Sequence, residues 1–168
     1  GMVYKKVLFE VIIRNLKRMS HIPIIVDPVL EATAGAPLIQ PKAIPSLLKL
    51  ISKSYLVTPN LHEASILTQS CIKNVEHMKS AAKKFHDLGA KNVLIKGGHL
   101  DDQAVDILYD GLEFKTLIGK RIDQKMTHGL GCRLSSATTA LLSQGEKLCD
   151  AVSKAKRFVE NHLKEQVQ

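Results

Sequence analysis

The stretch Ile22-Pro23-Ile24-Ile25-Val26-Asp27-Pro28 is a β-branched run that stops on an acid and a proline. An apolar run without polar alternation suits a strand buried on both faces, and such strands belong to parallel sheets. Asp27 then stands at the strand's carboxyl end. The same grammar recurs twice: Tyr55-Leu56-Val57 stops at Thr58-Pro59-Asn60, and Asn92-Val93-Leu94-Ile95 stops at Lys96-Gly97-Gly98-His99. Before and between these runs the apolar spacing turns helical. Val7, Leu8, Val11, Ile12 and Leu16 mark an opening amphipathic helix that ends on the basic pair Lys17-Arg18. Residues 31–37 are small and glycine-containing, hence a loop, and 41–51 reads as a helix with proline in its first turn. Asn60 caps a helix through Leu67, and Asn74 caps a longer one to Leu88, stopped by Gly89. Alternating segments 104–109 and 114–118, joined across Asp110-Gly111, predict a β-hairpin. Two helices close the chain, 130–143 after a glycine-rich entry and 147–164 after Gln144-Gly145. This alternation predicts an α/β fold in three layers, αβα: a mostly parallel sheet plus one hairpin, with helices on both faces.

With 168 residues the chain has room for one domain, 1–168, and no internal repeat or long linker divides it. Its 45% hydrophobic and 24% charged residues exclude collagen-like, disordered and disulfide-scaffold classes. A formal charge of +8 would draw anionic ligands, nucleic acid or acidic membranes alike. Aromatic residues at 4%, with no Trp, argue against a nucleic-acid platform, which stacks bases on exposed rings. Cys71, Cys132 and Cys149 are odd in number and far apart, so neither a disulfide framework nor structural zinc is expected. No apolar run approaches the roughly 18 residues of a membrane span and no signal-peptide pattern opens the chain, so the expected location is cytoplasmic. Gly1 before Met2 is expected to be a scar of tag removal.

In parallel sheets, ligands bind beyond the carboxyl ends of the strands. Those ends carry Asp27-Pro28, Thr58-Pro59-Asn60 and Lys96-Gly97-Gly98-His99. The densest chemistry is Thr127-His128-Gly129-Leu130-Gly131-Cys132, directly before a helix. Unpaired N–H groups and the dipole at a helix start favour an anion, and glycine lets it come close. Thr127, Gly129, Leu130 and Gly131 are therefore a candidate phosphate cradle, against the alternative of a plain glycine turn. Cys132 falls in the first turn, where that field should lower its thiol pKa; the other reading is an inert small hydrophobe. Asn60 and Glu63, three apart at a helix start, either face a hydrated Mg²⁺ or form a capping box, and as an isolated pattern capping fits better. Asp27 is either a turn residue or a magnesium-site carboxylate. Lys96 can stabilise a transferred phosphoryl group, with Gly97-Gly98 leaving room for a nucleotide to pass. The remaining basic residues, Lys5-Lys6, Lys83-Lys84 and Lys154, Lys156 and Arg157 among them, read mostly as solvated helix faces.

Taken in order, Ile24-Ile25-Val26-Asp27-Pro28-Val29, Val57-Thr58-Pro59-Asn60-Leu61-His62-Glu63-Ala64, Val93-Leu94-Ile95-Lys96-Gly97-Gly98-His99-Leu100 and Thr127-His128-Gly129-Leu130-Gly131-Cys132 are specific together. With Asp106-Ile107-Leu108-Tyr109-Asp110-Gly111 in the hairpin, the chain from about Ile22 to His162 resembles the hydroxymethylpyrimidine/phosphomethylpyrimidine kinases of thiamine biosynthesis, in the ribokinase-like superfamily. The resemblance implies transfer of the ATP γ-phosphate to hydroxymethylpyrimidine and then to its monophosphate, with Mg²⁺ as cofactor and ATP as co-substrate. By the same resemblance Asn60 and Glu63 match the magnesium-associated Asn-x-x-Glu motif, and Gly129, Gly131 and Cys132 match the anion hole and its catalytic position. The family's usual Gly-Thr-Gly-Cys-Thr reads Gly-Leu-Gly-Cys-Arg here. Leu130 would then serve through its backbone N–H, and Arg133 would bring a cation into the first turn, to bind phosphate or to obstruct the substrate. The chain is expected to lack the family's N-terminal segment, which supplies early strands and much of the pyrimidine pocket. Exposed strand edges make a homo-oligomer the corresponding expectation. A pyridoxal kinase sharing the phosphate site, and a nucleotide- or pyrimidine-binding protein without turnover, stay open as alternatives.

Overall fold

The predicted elements form in the predicted order in the computed structural model, which describes residues 2–19, 21–32, 34–98, 104–119 and 129–166. The first half of the chain holds α1 (Lys6–Leu16), β1 (Ile25–Val26), α2 (Ile44–Ile51, led by a 3₁₀ turn at Pro41–Ala43), β2 (Leu56–Val57) and α3 (Leu61–Thr68). Then come α4 (Val75–Asp87), β3 (Asn92–Gly97), β4 (Ala104–Tyr109), β5 (Phe114–Gly119), α5 (Leu130–Ser143) and α6 (Leu148–Gln166). The five strands make one sheet in chain order. β1, β2 and β3 are parallel, and the hairpin adds β4 and β5 antiparallel.

Two strands differ in extent from the sequence pattern. Of residues 22–26 only Ile25 and Val26 pair with β2; β1 lies at the sheet edge, and Pro23 has no N–H to give a ladder. β3 instead runs two residues further than its apolar stretch, because Lys96 and Gly97 pair with Asp106 and Val105. Here the ladder offered by β4 overrides the local Lys-Gly-Gly turn signal. Gly97 is required at that position: a Cβ would stand 2.1 Å from the Val105 carbonyl oxygen and 2.6 Å from Met78 Cε.

Strand side chains alternate between two apolar clusters. On one face Val57, Val93, Ile95 and Ile107 pack with Phe9 and Ile13 of α1, Leu47 of α2, Ala64 of α3, and Met78 and Phe85 of α4. On the other, Leu56, Leu94, Leu108 and Leu117 meet Leu134 of α5 and Val152, Ala155 and Val159 of α6. Each large buried side chain contributes about 1.5–3 kcal/mol. This packing consumes both sheet faces and leaves the strand ends and helix starts to build a site. Asn60 and Asn74 cap α3 and α4 as expected, and Gly89 takes φ 118° after α4. Among the described residues no helix is long and apolar enough to cross a membrane.

Candidate active site

Parallel pairing sets the carboxyl ends of β1, β2 and β3 side by side, and polar contacts tie them to the start of α5. Asp27, just past β1, accepts at Oδ1 from Lys96 Nζ at 2.8 Å and from Thr58 Oγ1 at 3.0 Å. Thr58, just past β2, also meets Ser135 Oγ of α5 at 2.9 Å. Lys96 Nζ presses against the α5 entry, since a Cβ on Gly131 would stand 2.9 Å from it. The Lys96 and Asp27 side chains are only 12% and 16% exposed, so water screens their attraction weakly. With Asn60, Glu63, Gly98, Gly129, Leu130 and Cys132 they line a cleft of about 420 Å³. The strand ends and the glycine-rich entry therefore converge as the sequence suggested.

Asn60 and Glu63 form the reciprocal capping box: Glu63 N–H donates to Asn60 Oδ1 and Asn60 N–H donates to Glu63 Oε2, each at 2.8 Å. Both residues also line the cleft, so the capping and ligand-facing readings coexist. Glu63 is 4% exposed. Burial pushes its pKa above the ordinary 4.5; the Lys96 charge and the Asn60 N–H oppose this, and the Asp27 charge adds to the rise. A divalent ion relieves two carboxylates that repel in a water-poor site. Mg²⁺ prefers oxygen donors and keeps several waters, so the oxygen-bearing set Asp27, Glu63 and Asn60 fits the chemistry of such an ion and would be the residues to hold it. Among the described residues no three His, Cys, Asp or Glu side chains gather into a cage that would hold a metal unaided.

Gly129 is the N-cap of α5 in the left-handed conformation, φ 76°, and among the described residues no side chain caps that helix. The first amides of α5 are thus left for a ligand. Leu130 and Gly131 line the cleft there. Cys132 overturns the expectation drawn from its helix position: its thiol pKa is raised, not lowered. Partial burial, the Asp27 charge and a hydrogen bond to the Asp27 carboxylate together outweigh the Lys96 charge. The helix field was visible in the sequence, whereas the carboxylate arrives from another strand.

Two further residues singled out in the sequence stand off the cleft wall. Arg133 is exposed and lines neither this cleft nor the apolar cavity beside it. Gly97 is buried in the sheet, and Gly98 is the glycine that lines the cleft. Thr127 lies outside the described residues. The opposite wall was missed from sequence. Lys156, grouped with the solvated lysines, is 12% exposed and donates to Asp106 Oδ2 at 2.6 Å and to the carbonyls of Leu117 at 3.1 Å and Ala104 at 3.3 Å. Asp106 Oδ1 accepts from Gly97 N–H at 3.0 Å. A signal for Lys156 existed, since it follows Val152 by four residues and precedes Val159 by three, on the apolar stripe of α6. Thr58 and Ser135 carried none, because short hydroxyl side chains are common in turns and helices alike.

A model of the phosphomethylpyrimidine kinase family matches residues 1–168. The chain belongs to that family. Within it, the chain is 43% identical over 162 residues to a thiamine biosynthesis bifunctional protein of Geobacter sulfurreducens, a match over 95% of this chain and 33% of that one. Among solved structures, phosphomethylpyrimidine kinase from Clostridium difficile matches with TM-score 0.83 at 37% identity, over 97% of this chain and 67% of that one. An ADP complex of Bacillus subtilis pyridoxal kinase matches with TM-score 0.84 at 36% identity, over 94% and 59%. The fold is the ribokinase-like α/β arrangement of these kinases. The phosphomethylpyrimidine kinase family chain described here thus spans between a third and two thirds of the length of these relatives.

Proposed function

We propose that the chain binds ATP with Mg²⁺ and transfers the γ-phosphate to hydroxymethylpyrimidine and to its monophosphate. The observation that carries this reading is the meeting of Asp27, Glu63, Lys96 and the glycine-led start of α5 around one cleft, in a member of this family. Phosphoryl transfer asks for positioning and charge stabilisation more than for covalent chemistry, and these groups supply both. The acceptor oxygen, from the hydroxyl of hydroxymethylpyrimidine or from the phosphate of its monophosphate, bonds to the γ-phosphorus; the bond to the β,γ-bridging oxygen breaks, ADP leaves with that electron pair, and the proton of an attacking hydroxyl passes to solvent. Amides at the start of α5 hold the equatorial oxygens, and Lys96 adds fixed positive charge. Asp27 and Glu63, with Asn60, would hold Mg²⁺, which neutralises phosphate charge. Cys132, kept as a thiol beside Asp27, orients the acceptor hydroxyl instead of resting as a thiolate. The adjoining apolar cavity of about 570 Å³, lined by Ile12, Ile24, Val26 and Leu47, shares Asp27 and Cys132 with the cleft and suits the pyrimidine ring. The same reading has one domain working on small molecules in the cytoplasm, not on nucleic acid, with the open edge of β1 covered in a homo-oligomer.

Thermal unfolding with Mg-ATP, with hydroxymethylpyrimidine phosphate and with both, followed by assay of the mixture for diphosphate, tests it. Each ligand should raise the midpoint by mass action, product should form, and Asp27→Asn should abolish it. Failure of both ligands to stabilise the chain sinks the proposal. The likeness to pyridoxal kinase supports a second reading with pyridoxal as acceptor. Pyridoxal phosphate in place of pyrimidine diphosphate would select it, and binding without product from either acceptor would mark a binding protein.

A further inference from the structure

Thr58 and Ser135 take no part in the chemistry above, yet both are buried polar residues behind Asp27, at 0% and 5% exposure. Thr58 is pinned by the sheet, its N–H donating to the Val26 carbonyl at 3.0 Å. Its hydroxyl touches Asp27 Oδ1 at 3.0 Å and Ser135 Oγ at 2.9 Å. Ser135 reaches back one helical turn to the Gly131 carbonyl at 3.0 Å.

Proton inventory orients this chain of contacts. Each hydroxyl has one proton, and a carboxylate only accepts. With Asp27 charged, the Thr58 proton goes to Oδ1, so Ser135 supplies the proton between the two hydroxyls and shares it with the Gly131 carbonyl. The hydroxyls of Thr58 and Ser135 are then both satisfied. Elsewhere along this surface of α5 the Cys132 thiol adds a sulfur hydrogen bond to Asp27, while Leu134 is apolar and the Thr138 hydroxyl turns back onto the Leu134 carbonyl. Apolar contacts tolerate small slides along a helix axis, whereas a directional hydrogen bond does not. A thiol is a weak donor, so the hydroxyl pair is the stronger of the two ties that register the first turn of α5 against the strand ends.

Building on the kinase reading, we propose that Thr58 and Ser135 are positioning residues whose hydroxyl pair sets where the first amides of α5 stand relative to Asp27 and Lys96, and so aims the transferred phosphoryl group. Thr58→Val keeps the side-chain shape and removes the hydroxyl, while Thr58→Ser keeps the hydroxyl. Thr58→Val should lower kcat about 10- to 100-fold, the loss that misplacement by about an ångström brings, with KM for ATP changed far less. Thr58→Ser should restore most of kcat. Hydrogen exchange of the 133–136 amides, the first that bond within α5, gives a readout that needs no turnover: it should quicken in Thr58→Val and Ser135→Ala, return in Thr58→Ser, and stay constant in α4. Equal exchange at 133–136 in wild type and all three variants overturns the proposal whatever the activity. Exchange that follows the prediction in a chain without product leaves the positioning role standing and removes the kinase reading instead. Equal kcat losses in Thr58→Ser and Thr58→Val also overturn it, because the hydroxyl would not suffice. Ser135→Ala carries the test if Thr58→Val does not fold.

Discussion

Replacing Lys156 with Met deletes one buried charge from the cleft wall and keeps an apolar stem on the inner stripe of α6. Three contacts vanish with the ammonium, to Asp106 Oδ2 and to the carbonyls of Leu117 and Ala104. The Asp106 carboxylate, on a residue 7% exposed, would keep the Gly97 N–H as its partner from that cluster. Stranding a buried charge this way costs about 3–5 kcal/mol; the residual exposure and the retained methionine packing favour the lower end, about 3 kcal/mol. For a chain of this length roughly 2–4 °C accompany each kcal/mol, so the thermal midpoint should fall by about 6–12 °C. Urea denaturation of wild type, Lys156→Met, Asp106→Asn and the double variant measures both the loss and the coupling. Asn at 106 still accepts from Gly97 N–H, so the double variant should recover most of the stability lost by Lys156→Met. A single-variant loss below about 1 kcal/mol, the range of exposed ion pairs, or a double variant no more stable than Lys156→Met, would refute the reasoning.

Burial raises the Glu63 pKa above 4.5, so the folded chain binds that proton more tightly than the unfolded chain does. The resulting stability is fully present below pH 4.5 and is lost as pH rises through the folded-state value. Urea midpoints of wild type should fall across that window more steeply than those of Glu63→Gln, which cannot titrate; parallel curves would contradict the assignment. Gly97→Ala should cost about 3 kcal/mol or prevent folding, as overpacking against backbone does, whereas Gly98→Ala, with nothing within 4 Å of its Cβ, should stay within about 1 kcal/mol. Similar losses at the two positions would mean that β3 does not run through Gly97. Alkylation of Cys132, followed by peptide mass, should be slower near neutral pH than that of an unstructured cysteine peptide, and Asp27→Asn should quicken it. A faster reaction in wild type would show that the helix field, not Asp27, governs this thiol.

Local patterns were enough for the elements and their order. Apolar runs with polar stops, Asn caps at 60 and 74, the Asp110-Gly111 turn and the glycine before α5 each act within a few residues, so the chain announces them without its fold. They also located Asp27, Asn60, Glu63 and Lys96, because the ends of parallel strands share one edge of the sheet. What the sequence could not determine depends on residues distant in the chain that meet only after folding. β3 took in Lys96 and Gly97 because β4 came alongside to pair with them. Cys132 gained a raised pKa because folding partly buries its thiol and brings Asp27 beside it from the end of β1. Lys156 turned inward because Asp106 waits at the hairpin with two carbonyls beside it, and Thr58 met Ser135 only because α5 settles on the end of β2. Secondary structure follows from short-range spacing, but the charge and hydrogen-bond state of a buried side chain depends on what the tertiary fold sets against it.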